Sequence, residues 1–304
     1  MDKKFMAGSS EKIITLPSEL LSWSCSRRVL GHRIGLVPTM GGLHEGHISL
    51  IRAADRDCDA VIVSVFVNPM QFGQNEDFNL YPRTLDQDIC LINSAGLGCE
   101  LCLFVPSVED IYPSGFNSVV CVGGVTEKLE GCFRPSHFDG VSTVVLKLFN
   151  MSGANAAYFG LKDYQQVCVI RKMVIDLNIP IDIITCPTIR DVDGVALSSR
   201  NAYLTTSQRV QAAILSQSLS VADNLILGGC RNVDKVIDAV RDKISSAADA
   251  EIDYIAIVEP MTVNELKTLE DNSEVVILLA VKIGTTRLID NKIITISPKN
   301  ITDG

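Results

Sequence analysis

The chain has 304 residues, 47% hydrophobic and 21% charged, with a formal charge of −9 from 27 basic and 36 acidic side chains. That length exceeds what one hydrophobic core usually serves, so one large or two modest domains are expected. The acidic balance argues against a general nucleic-acid binder, yet an anionic small molecule still fits, because a locally positive pocket can sit on an acidic protein.

Residues 1–12 are polar, contain Gly8-Ser9-Ser10 and read as a mobile arm. Ile34–Pro38 is a short strand running into a glycine-rich turn, and Ile48, Ile51 and Arg52-Ala53-Ala54 then suit an amphipathic helix. Val61–Val67 has the composition of a strand buried on both faces. Leu85, Ile89 and Ile92 repeat at helical spacing, with Gly96 as terminator. Leu101–Val105 is a strand closed by Pro106, and Val141, Val144, Val145 and Leu148 mark a helix face. Ala156–Phe159 is the next strand. Asp163 stands where it can cap a helix burying Val167, Ile170, Val174 and Leu177, and Ile181–Thr185 is the last strand of the series. Strands separated by helix-length crossovers predict a Rossmann-like parallel sheet with helices on both faces.

The pattern changes near residue 190. A long helix is expected over 207–227, ended by Gly228-Gly229, and a second over 232–246. Strand-like runs follow at 252–258, 275–281, 287–289 and 292–296, which indicates a smaller α+β domain. The expected division is 1–187 and 188–304. No uninterrupted apolar run approaches the ~18 residues that span a bilayer. Met1–Met6 lacks the apolar stretch of a secretory signal. The ten cysteines are scattered through apolar segments, so reduced, mostly buried thiols in a cytoplasmic protein are expected. Cys99-Glu-Leu-Cys102 reads as strand thiols rather than a redox or metal pair, since no second pair accompanies it.

The segment Pro38-Thr-Met-Gly-Gly-Leu-His-Glu-Gly-His47 carries the most chemical information. It follows a strand and opens a helix, where unpaired N–H groups and the helix dipole favour phosphate. Gly41, Gly42 and Gly46 remove bulk and let a nucleotide approach the backbone. His44 and His47, three apart, face the same side and can donate to oxygens that gain charge during phosphoryl transfer. A zinc protease would need its histidines four apart, as HExxH, and this pair is not so spaced.

This glycine-rich HxGH signature resembles that of the nucleotidyltransferase superfamily. Within it, the chain closely resembles the pantoate–β-alanine ligase family. Further blocks stand in the order that the resemblance implies: Val65–Phe72, Asn75–Phe78, Tyr81–Thr84, Arg134–Phe138, Gly140–Val145, Phe159–Gln166 and Asp193–Asn201. Together they span about residues 36–204.

The resemblance implies an ATP site built from Met40, Gly41, Gly42, Leu43, His44, Glu45, Gly46 and His47. Gly160, Leu161, Lys162 and Asp163 join it, with Ile189 placed for a backbone contact to adenine. Leu197, Ser198, Ser199 and Arg200 would form a mobile phosphate-binding element on a lid. It assigns Pro38, Met40, Asn68, Gln71 and Gln166 to the pantoate and β-alanine side, where amides that donate and accept suit a hydroxy acid. His44, His47, Lys162 and Arg200 would carry the charge stabilisation. Considered without the resemblance, Lys162-Asp163 can be a solvated pair or a helix cap, Ser198 a cap, and Asn68-Pro69 a turn former. His137 can orient a loop or be structural. Asp88 and Glu127 can help hold Mg²⁺ or be surface carboxylates; neither is assigned, and Mg²⁺ is expected mainly through ATP phosphates. A homodimer is implied.

Two positions depart from the family pattern. Leu161 replaces the Glu of GEKD, and Ser136 stands where RPGHF has Gly. The implied reaction is ATP-dependent condensation of pantoate with β-alanine through pantoyl adenylate, releasing AMP and pyrophosphate. Its rivals are another HxGH adenylyl or cytidylyl transferase, and a regulatory nucleotide binder without turnover.

Overall fold

The structure is a computed structural model that describes residues 12–74 and 76–298. It opens with strand β1 (Lys12–Ile14) and helix α1 (Pro17–Val29). Lys12 therefore belongs to a sheet and not to an arm, while residues 1–11 of that expected arm, like Asn75, lie outside the described residues. Then come β2 (Ile34–Thr39), α2 (Glu45–Asp57), β3 (Ala60–Val65), α3 (Leu85–Asn93), β4 (Glu100–Phe104) and the single turns α4 (Val108–Ile111) and α5 (Glu130–Phe133). The series closes with α6 (His137–Ser152), β5 (Ala156–Gly160), α7 (Tyr164–Asp176) and β6 (Asp182–Cys186). The six strands pair in parallel in the order β1-β4-β3-β2-β5-β6.

Alternation along the strands builds two cores. Leu36, Ile62 and Ala157 pack with Leu20 and Trp23 of α1, Phe138 and Val145 of α6, and Val167 of α7. Val37, Val61, Val63 and Tyr158 pack on the other side with Ile48 and Ile51 of α2 and Ile92 of α3. Burial on both faces explains why these strands read as continuous apolar runs. Asp163 occupies the N-cap position of α7 but makes no capping bond. α3 ends at Asn93, and Gly96, with φ 66°, turns the chain beyond it.

The remaining elements are α8 (Thr206–Ala212), α9 (Ile214–Leu227), α10 (Val233–Ile244), β7 (Ala250–Val258), β8 (Ser273–Ile283) and β9 (Thr286–Ile296). The three strands form an antiparallel sheet, β7-β8-β9. The helix expected over 207–227 is broken at Ala213, and the runs at 287–289 and 292–296 are one strand, β9. Taken together, Thr206–Leu227 is a 22-residue helical stretch with hydropathy and length enough to cross a membrane. Here Leu215, Leu219, Ala222 and Ile226 pack instead against Val236, Val240, Ile277 and Leu279, the core of the smaller unit.

The other face of the small sheet does not look outward. Ala256, Val258, Val276 and Leu278 join the core that holds α6 and α7. Arg287 forks onto Glu130 with both contacts at 2.7 Å and reaches Asp253 at 2.7 Å, while Tyr254 donates to Glu130 at 2.9 Å. A shared apolar core and a buried ion network fix the small sheet against the large one. All ten cysteines are free. Five are buried, Cys99 and Cys102 among them, and Cys25, Cys90, Cys121 and Cys132 are exposed, so the thiols are less uniformly buried than expected.

Candidate active site

Sheet order reverses between β2 and β5, and a cavity of about 230 Å³ opens there, beyond the carboxyl ends of β2, β3, β5 and β6. The chain leaves β2 through Gly41 (φ 82°) and Gly42 (φ 59°), backbone angles that side chains disfavour, and enters α2 at His44. Asp88, at 2% exposure, braces this turn: it accepts from Gly42 N at 3.1 Å, Leu43 N at 2.8 Å and Thr84 Oγ1 at 3.3 Å. Its carboxylate is thus engaged within the protein. Glu127 likewise accepts from Gly124 N at 3.2 Å.

His44 Nδ1 accepts from Gly46 N at 3.2 Å, and His47 Nδ1 accepts from His44 N at 3.3 Å. A ring nitrogen that accepts carries no proton, so each neutral imidazole has its proton on Nε2. Burial, then the charge of Lys162, lowers the His44 pKa to about 4. Burial, then the His44 charge, lowers His47 to about 3. Two imidazoles, with ring centres 4.1 Å apart and planes tilted by 39°, therefore line the cavity as neutral Nε2–H donors.

On the β3 side, Asn68 (1% exposed) caps the 3-10 turn Pro69–Gln71 through Met70 N at 3.3 Å. Its amide donates to Gln71 Oε1 at 3.0 Å and Gly140 O at 3.1 Å, and Tyr112 donates to its Oδ1 at 2.7 Å. Both polar atoms of the Asn68 side chain are engaged, so it orients Gln71 more than it greets a ligand. Gln71, with Oε1 occupied, presents Nε2, which lies 3.2 Å from Met40 Sδ. Gln166 lines the same cavity, and its side chain makes no hydrogen bond to another described residue. Phe66, Val141, Val144 and Phe159 supply an apolar wall.

His137 sits behind Gln71. Arg134 Nη1 lies 3.1 Å from His137 Nε2, and an arginine only donates, so Nδ1 holds the proton and donates to Gln71 O at 2.9 Å. Burial, then Arg134, lowers its pKa to about 4. His137 is a neutral brace for the turn that carries Gln71. Ser136 beside it has φ 64°, the left-handed conformation in which Gly would be unstrained.

The opposite wall is charged. Lys162 and Asp163 form a 3.5 Å pair after β5, and Asn291 of β9 donates to the carbonyls of Leu161 and Lys162 at 2.8 Å each. Ser198 Oγ accepts from Arg200 N at 3.3 Å and so starts the 3-10 turn Ser199–Tyr203. Ser199 donates to Gly42 O at 2.9 Å, docking that turn onto the glycine turn. Tyr81, which begins one of the resemblance blocks but has no expected site role, lies 3.5 Å from Ser199 Oγ. Ile189 lines the cavity, its carbonyl already accepting from Leu197 N at 2.9 Å.

Pro38, Met40, His44, Gly46, His47, Asn68, Gln71, Gly160, Lys162, Asp163, Gln166, Ile189, Leu197, Ser198, Ser199 and Arg200 thus converge on one cavity. Other expected residues do not line it. Glu45 pairs with Arg52 at the surface, Leu43 and Leu161 pack against core clusters, and Gly41 and Gly42 shape the turn from behind. A wider cleft of about 670 Å³ adjoins, lined on its shared side by Lys162, Asp163 and Arg200. Among the described residues no group of three or more His, Cys, Asp or Glu is placed to hold a metal ion.

Known proteins share this architecture and sequence. The family model for pantoate-beta-alanine ligase matches residues 12–293. A pantothenate synthetase of Thermoanaerobacter sp. (strain X514) is 51% identical over 265 residues, covering 87% of this chain and 92% of that protein. One from Acetivibrio thermocellus is 46% identical over 285 residues, covering 94% and 100%. The crystal structure of pantothenate synthetase from Thermus thermophilus superposes with a TM-score of 0.86 at 39% identity, covering 94% of this chain and 100% of that one. The pantoate-beta-alanine ligase of Francisella tularensis, complexed with beta-gamma ATP and beta-alanine, gives a TM-score of 0.76 at 38% identity, covering 93% and 97%. The chain belongs to the pantoate-beta-alanine ligase family.

Proposed function

We propose that this chain condenses pantoate with β-alanine to pantothenate, consuming ATP and releasing AMP and pyrophosphate through a pantoyl adenylate. The observation that carries the reading is one cavity with two contrasting walls. Neutral histidine donors with Lys162 and Arg200 suit a triphosphate, and the Gln71 and Gln166 amides against Phe66 and Val141 suit a small branched hydroxy acid. The nucleotide and β-alanine in the Francisella relative are consistent with it.

In the first step a pantoate carboxylate oxygen attacks the α-phosphorus, and pyrophosphate leaves. Nε2–H of His44 and His47 donates to phosphoryl oxygens as their charge grows, a task that needs no proton transfer. Lys162 and Arg200 offset the charge of the departing pyrophosphate. In the second step the neutral amine of β-alanine attacks the acyl carbon, its nitrogen loses one proton as the amide forms, and the C–O bond to phosphate breaks, leaving AMP. No covalent protein nucleophile is required, so orientation and charge stabilisation supply the rate. The described residues offer no carboxylate cage for Mg²⁺, which would arrive on the nucleotide phosphates. The Ser198–Arg200 segment serves as the closing element, on a unit running over 188–304 beside a nucleotide-binding unit of 1–187. A homodimer in the cytoplasm completes the proposal.

Isotope transfer tests the route. With ¹⁸O in both pantoate carboxyl oxygens, one label should appear in AMP. Unlabelled AMP formed alongside pantothenate would reject the adenylate.

A further inference from the structure

Two consecutive carboxylates on the loop after β3 hold two arginines in the same way. Arg134 gives its Nε and Nη2 edge to Glu76, at 2.8 and 2.6 Å. Its Nη1 is thereby left for a specific task, the 3.1 Å contact to His137 Nε2. Arg200 repeats the geometry across the boundary between the sheets. Its Nε lies 2.9 Å from Asp77 Oδ2 and its Nη2 lies 2.8 Å from Asp77 Oδ1. The pair is largely buried, at 29% and 19% side-chain exposure.

We propose that Asp77 is a positioning residue for adenylate formation, which fixes the plane of the Arg200 guanidinium so that Nη1 meets the triphosphate. The proposal rests on the phosphate role given to Arg200 above. A free arginine carries rotamer entropy, which is lost when it first engages phosphate. Side-on clamping pays that cost during folding, before the nucleotide arrives. Asp77 takes only the Nε edge. A carboxylate acting as a stand-in for phosphate would be expected to occupy the end that the ligand needs. Tyr203 OH, bound to Leu80 O at 3.2 Å, and Ser199, bound to Gly42 O at 2.9 Å, also tie down the same turn.

The two half-reactions separate this role from a structural one. Asp77→Asn presents a donor where Arg200 needs an acceptor. Pantoate-dependent exchange of pyrophosphate into ATP should fall by about 10- to 100-fold, the scale expected for misplaced groups. Aminolysis of supplied pantoyl adenylate by β-alanine, which involves no pyrophosphate, should change less than about 3-fold. Asp77→Asn combined with Arg200→Ala should be no slower in exchange than Arg200→Ala alone, as expected for residues acting as one unit. Equal losses in both half-reactions would make Asp77 merely structural and overturn the proposal. Tighter ATP binding by Asp77→Asn would also overturn it, by making the carboxylate a competitor of phosphate. If Arg200→Ala exchanges normally, the phosphate role of Arg200 falls and this inference with it. If only Arg200→Ala is impaired, the positioning role alone falls.

Discussion

Asp88 Oδ2 accepts the N–H of Gly42 at 3.1 Å, and this half-buried bond sets the shape of the turn that delivers both histidines. The second oxygen takes Leu43 N and Thr84 Oγ1, so one carboxylate on α3 satisfies three donors from two segments. Removing it leaves those donors unpaired, at about 1–3 kcal/mol each where they are buried. Asp88→Ala should therefore lower the thermal midpoint and cut pyrophosphate exchange by more than about 10-fold, a range consistent with a displaced site. Thermal melts and exchange assays check this, and wild-type values in both would show that Asp88 braces nothing.

Gly140 offers a test that does not touch the ligand. A Cβ there would lie 2.4 Å from the carbonyl carbon and oxygen of Met70 and 2.6 Å from Gln71 N. Gly140→Ala must push the Pro69–Gln71 turn away from α6, taking the Gln71 amide with it. The KM for pantoate should rise about 10-fold or more while the KM for ATP changes little, because about 1.4 kcal/mol of lost binding is a factor of ten. Equal changes for both substrates in steady-state kinetics would contradict this placement of Gln71.

The histidines should be neutral in the resting protein at pH 6. Long-range ¹H–¹⁵N spectra should show Nε2–H tautomers for His44 and His47 and an Nδ1–H tautomer for His137. An imidazolium pattern at that pH would contradict the burial-driven lowering to about 4, 3 and 4. The same shifts set a stability trend. The unfolded chain protonates these residues near 6.5 and the folded chain only near 3 to 4, so the unfolded state binds more protons in between. Stability should fall as pH drops from 6.5 toward 4, and denaturant midpoints measured across that window test it. A flat profile would count against the assignment.

Much of this was legible in the sequence because local patterns carry it. β2 to β5 are buried on both faces and read as apolar runs, and His44 and His47 announce themselves among glycines at a strand–helix junction. What escaped depends on contacts between distant segments. α1 buries only Leu20, Trp23 and Ser24, too little periodicity to mark a helix despite Pro17 at its start. β9 reads as two runs because Asp290 and Asn291 interrupt its apolar pattern, yet both are buried, Asp290 pairing with Arg190 and Asn291 holding the Lys162 turn. Asp88 lies 46 residues from Gly42, and no spacing rule links a helix carboxylate to a turn that far back. The resemblance places Asn68 at the ligand, and only the geometry shows its amide committed to Gln71, Gly140, Met70 and Tyr112.

The most direct test of the account is exchange of labelled pyrophosphate into ATP, measured with and without pantoate and in the absence of β-alanine. Exchange should require pantoate and need no β-alanine. His44→Ala and His47→Ala should each slow it by about 100- to 1,000-fold, the cost of losing one donor to developing charge. Folded protein that catalyses no pantoate-dependent exchange, or both variants exchanging at near wild-type rates, would contradict it.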